Sequence, residues 1–98
     1  MDYTKILAEF LGTYIMCLIF ILYLNYSKTY RFLEMITVIF FSVIIPVVIF
    51  YNHSYDFNPS ITLMLYFNGT RTNSELIAYT SSQLLGALAA YSTLNLIK

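Results

Sequence analysis

The side chains able to do chemistry in this 98-residue sequence are few and scattered. Asp2, Glu9, Asp56 and Glu75 carry carboxylates far apart along the chain, His53 is the single histidine and Cys17 the single cysteine. No nucleophile lies at a recognisable spacing from a base, which leaves an enzyme little to rest on. One cysteine supplies neither a disulfide framework nor a cysteine metal site, and the expectation is no cofactor and no metal. The stretch that could do something is "FNPSITLM", residues 57–64. Pro59 suits the first position of a helix, where a missing N–H costs nothing. Asn58 then sits at the cap, its side-chain oxygen accepting from a first-turn N–H. Its amide NH₂ is left as a donor at the positive end of the helix dipole. Such a pair would orient a water or hydroxyl by its oxygen and repel cations.

The elements that must position Asn58 are built for lipid. The sequence is 59% hydrophobic and 10% charged, a membrane-protein composition. One helical span takes about 20 apolar residues to cross a hydrocarbon core of about 30 Å, so the chain has room for three or four crossings and little else. Net charge is zero and the five basic residues are spread singly, which argues against nucleic acid or an acidic lipid patch as partner. Spans are expected at residues 6–26, 33–51 and 76–97, with residues 58–67 forming a helix about 15 Å long, half a membrane thickness. The first apolar run is longer than the core of a secretory signal and has no small-x-small cleavage site, so it reads as a retained helix. Cys17 falls inside it as a small buried hydrophobe, and Pro46 is a candidate kink in the second span. Asn73 or Ser74 would cap the last helix, with Glu75 in its first turn. The expected fold is an all-α, multi-pass integral membrane protein: one unit of three transmembrane helices and one re-entrant half-helix, surrounded by lipid.

Small residues recur along two of these helices. Ser82, Gly86 and Ala90 repeat every four residues, as do Ala8 and Gly12, a spacing that lets another helix approach closely. Within a membrane, irregular backbone survives only where protein buries it or a watery cavity meets it. Taken alone, "DFNPS" also reads as an ordinary turn between helices.

Three ordered motifs favour the half-helix. "AEFLGTY" at residues 8–14, "NPSIT" at 58–62 and "AYTSSQLLGALAA" at 78–90 together resemble one half of an aquaporin or aquaglyceroporin, of the major intrinsic protein family. The resemblance implies that "NPSIT" is the family's NPA box, with Ser60 in place of Ala, and that Asn58, Pro59 and Ser60 line a pore. It implies that Glu9 and Gln83 hold the re-entrant loop by bonding its free backbone groups, so that carbonyls just before Asn58 face the pore. Two further positions of the implied pore lining depart from the pattern: Asp56 stands where an imidazole is expected, and Val38 where an aromatic narrows the constriction, with Phe40 and Phe41 nearby. The selectivity arginine that follows the family's second box has no counterpart after Ser60, where Ile61 stands.

A complete pore of this family has two inverted halves whose half-helices meet at the midplane. The expected function is therefore an aquaporin-like half-channel passing water, or small neutral solutes such as glycerol, once it pairs with an antiparallel copy or another half. With Lys5 and Arg71 on one side and Lys28, Arg31 and Lys98 on the other, the positive-inside rule sets nearly no preference, and dual orientation follows. The competing reading is a truncated, non-conducting remnant or structural membrane protein.

Overall fold

Two short polar signals decide where the helices begin. Asp2 accepts from the Thr4 N–H at 2.9 Å, so the first helix, α1, starts at Tyr3 rather than at residue 6 and runs Tyr3–Tyr26. The last helix starts at Asn73 rather than 76. Its cap is neither Asn73 nor Ser74 but Thr72: the Thr72 hydroxyl accepts from the Glu75 N–H at 3.1 Å, and the Glu75 carboxylate accepts from the Thr72 N–H at 2.9 Å. This reciprocal capping box satisfies donors that the helix itself cannot. The computed structural model describes residues 2–28 and 31–97 and contains, in those residues, four helices and no strand: α1, α2 at Phe32–Phe50, α3 at Pro59–Phe67 and α4 at Asn73–Ile97. Lys98 of the charge count, and Thr29 and Tyr30 of the link between the first two helices, lie outside the described residues.

Of these helices, α1 and α2 are long and apolar enough to cross a membrane. At 25 residues α4 is longer than either, about 37 Å at 1.5 Å per residue, but its serines, threonines and glutamine make it less apolar. That composition belongs to its position, because α4 packs along α1 as the main helix pair and also carries α3. Gly86 explains the closeness of α1 and α4: a Cβ at this position would lie 2.6 Å from the Phe10 carbonyl oxygen and 3.1 Å from the Tyr14 nitrogen. Ala8, Ala90 and Leu94 are buried, and the Tyr14 hydroxyl pairs with that of Thr93 at 2.8 Å.

Among the helices, α2 packs only on α1. It buries Ser42 and Pro46 and leaves an apolar face that includes Ile36, Phe40, Phe41 and Val48 exposed. The helix continues through Pro46. Because proline has no N–H, the Ser42 carbonyl loses its helical donor.

Helix α3 is stopped at both ends by local chemistry. Pro59 opens it, and Gly69, at φ +83°, closes it. The Thr70 N–H reaches the Leu65 carbonyl at 2.8 Å and the Gly69 N–H reaches the Tyr66 carbonyl at 3.0 Å, a Schellman closure that requires the left-handed residue glycine supplies without strain. Nine residues make a rod of about 13 Å.

Candidate functional site

Residues 51–57 descend from the end of α2 to the start of α3 without helical hydrogen bonds of their own beyond the first turn, so their backbone needs partners. Glu9 of α1 is the principal one. Its side chain is fully buried; one carboxylate oxygen accepts from the Asp56 N–H at 3.0 Å and from the Ser54 hydroxyl, the other from the Phe57 N–H at 2.7 Å and from Gln83 Nε2 at 2.8 Å. A carboxylate is acceptor-only and has room for all of these donors, and two backbone N–H groups on one buried anion fix the loop's height against α1.

Gln83 of α4 works one step away from the loop backbone. Besides Glu9 it donates to the Thr62 hydroxyl at 2.8 Å, and the Thr62 hydroxyl donates to Asp56 Oδ2 at 2.9 Å. The chain of hydrogen bonds therefore runs from α1 through α4 to α3 and back to the loop. Gln83 Oε1 is buried and accepts from none of the described residues.

Asp56, read from the sequence as a pore-lining acid, is turned into the protein. Arg71, from the loop between α3 and α4, donates through Nη2 to Asp56 Oδ1 at 2.7 Å and through Nε to Oδ2 at 3.1 Å. The Asp56 side chain is 0% exposed and that of Arg71 11%. The guanidinium also lies over the rings of Tyr55 and Tyr79, 5.4 and 5.5 Å from their centroids. The hydrogen bond to Asp56 raises the Arg71 pKa above its ordinary value, with burial opposing it.

The last loop residue, Phe57, holds the turn. Its φ is +55°, a left-handed conformation that is costly for a residue with a bulky side chain. Three contacts hold it there: Glu9 on its N–H, the Thr13 hydroxyl donating to its carbonyl at 3.2 Å, and a seat for its ring at Gly12. A Cβ on Gly12 would fall 2.1 Å from the ring. Gly12 thus makes room for a loop aromatic, and the Phe57 carbonyl accepts from Thr13. Beyond Phe57 the backbone returns to the extended region at Asn58 (φ −152°, ψ 127°), whose Oδ1 accepts from the Ser60 N–H at 2.8 Å. Asn58 and Ser60 are exposed and Pro59 half-buried, with the Asn58 amide nitrogen unpartnered by any described residue.

The structure thus brings Glu9, Gln83 and Asp56 into one buried network and places Asn58 at its open edge. Val38 stands apart, half-buried on α2, and Ser82, Gly86 and Ala90 are buried along α4. Sequence reasoning missed Thr13, Ser54, Phe57, Thr62 and Arg71 as members. Thr62, four residues beyond Asn58, shares a helix face with the cap and was findable. Arg71, fifteen residues from Asp56, carries no such signal.

Two apolar helices of membrane length stand beside a buried polar network that holds a short helix, an arrangement that fits a helical integral membrane protein. The family model for Major intrinsic protein matches residues 1–98, so the chain belongs to that family, whose members are membrane channels for water or small solutes. Comparison with curated proteins and with solved structures finds no match.

Proposed function

We propose that this chain forms half of a passive pore for water, with small neutral solutes such as glycerol as further candidates. The observation that carries the reading is the clamp on the loop before α3, which holds a half-membrane helix with the Asn58 amide at its exposed N-terminal end. In this reading α1, α2 and α4 cross the membrane and α3 is re-entrant. Its dipole and the Asn58 donor meet solute at the midplane, where Pro59 and Ser60 shape the lining and Val38 leaves the outer constriction without an aromatic wall. Passage follows the solute gradient. Glu9 and Asp56 are both committed to holding the loop, which supports a conduit rather than an enzyme.

One half-helix reaches about half of a 30 Å core, so a second half completes the pore: an antiparallel copy or a different half. Asn58→Asp tests the donor. The substitution keeps the cap oxygen and removes the NH₂, and we expect permeation to be lost or altered with insertion intact. Unchanged transport in that variant would remove Asn58 from the pore.

A further inference from the structure

From the Asp56–Arg71 pair, we infer that Arg71 is a positioning residue for the pore: acting through Asp56, it fixes where the Asn58 cap stands. The inference rests on the pore reading above and names a residue that reading does not contain.

The geometry makes Arg71 a brace across α3. Its backbone N–H bonds the Leu65 carbonyl at 3.3 Å, so its root is set by the end of α3. Its side chain reaches back to both oxygens of Asp56, two residues before the cap. Asp56 in turn holds Thr62 on the first turns of α3, and the Thr62 N–H bonds the Asn58 carbonyl at 3.1 Å. The loop, the cap and both ends of α3 are thereby closed into one ring of hydrogen bonds. The rings of Tyr55 and Tyr79 both lie against the guanidinium. A planar fork matched to a carboxylate sets direction as well as distance, which a lysine ammonium cannot do.

Among the described residues, the ionisable groups that meet Asp56 or its partner Arg71 include Tyr55 on the loop, Glu9 on α1 and Tyr79 and Glu75 on α4. With Arg71 removed, no cation remains among them. The Asp56 carboxylate is then left buried without a paired cation, and Asp56→Asn, which keeps an oxygen for Thr62, removes that charge.

The test compares the wild-type chain with Arg71→Gln, Arg71→Lys and the double variant Asp56→Asn/Arg71→Gln in proteoliposomes, with permeability normalised to folded protein. Hydrogen exchange is followed over residues 55–60. Arg71→Gln is expected to lose roughly tenfold in permeability, as when a positioned group is released from a preorganised site. It should also exchange faster at 55–60. Arg71→Lys should fall between it and wild type, and the double variant should lose no more than Arg71→Gln, because Arg71 acts through Asp56. If Arg71→Gln does not fold, the lysine and double variants still decide. Wild-type permeability and exchange in Arg71→Gln, or a double variant that loses markedly more than Arg71→Gln, would overturn the inference. If the wild type itself does not exceed lipid background, the pore reading fails, while the exchange data still judge the brace.

Discussion

Glu9 is the residue on which most of the loop's geometry converges, and its chemistry predicts a graded response. Glu9→Gln keeps the shape but turns one acceptor oxygen into a donor facing donors. A charge-assisted hydrogen bond contributes about 1.5–3 kcal/mol, so a stability loss of that order is expected in detergent unfolding, with loss of exchange protection at the Asp56 and Phe57 amides. Full protection in Glu9→Gln would remove Glu9 as the loop's anchor. Gly12 makes a steric counterpart. In Gly12→Ala the new methyl meets the Phe57 ring, and overpacking of this kind costs about 1–3 kcal/mol. Because Phe57 is held at positive φ, we expect the ring to move and the loop to loosen. A stability equal to wild type in the same unfolding assay would show that the seat is not tight.

At the scale of elements, α4 is organised by its first turn and by one glycine. Thr72→Ala should cost about 1 kcal/mol, as for other lost N-caps. Because Thr72 and Glu75 cap each other, Thr72→Ala and Glu75→Ala together should cost less than the sum of the two; simple additivity in thermal unfolding would contradict the box. This is also where the sequence was and was not legible. Apolar length alone placed α1 and α2 within a few residues, and Asn-Pro placed the start of α3, because each signal is local. The starts of α1 and α4 were set late because hydropathy ignores capping, and Asp2 and Thr72 extend both helices into polar sequence. Glu9 and Gln83 were singled out through the family resemblance, with Glu9 also a costly ionisable group within an apolar helix. Their partners could not, since whether a loop hydroxyl such as Ser54 meets Glu9 depends on how α1, α4 and α3 stack.

The whole molecule presents two kinds of surface. The α1–α4 seam is closed and rich in small residues, whereas α2 and the outer side of α3 leave apolar side chains such as Phe40, Phe41, Leu63 and Met64 exposed. Lipid or a second half must cover them. Arg71 is one of two basic residues, with Lys5, counted on the side of the α1 N-terminus, and its charge is spent on Asp56. The positive-inside rule counts Lys and Arg and gives carboxylates little weight, so this pairing leaves the near-even basic count, and with it the expectation of dual orientation, as it stood. Tags at either end of these residues should therefore be found on both sides of the membrane if antiparallel copies pair; a single orientation would leave only a different half as partner. The account's central claim, that a clamped α3 presenting Asn58 makes half of a water pore, is tested most directly by stopped-flow light scattering of proteoliposomes holding the wild-type chain. The predicted result is water permeability above the lipid background, lost or altered in Asn58→Asp at equal incorporation. Permeability equal to protein-free vesicles, with the protein inserted and folded, would contradict it.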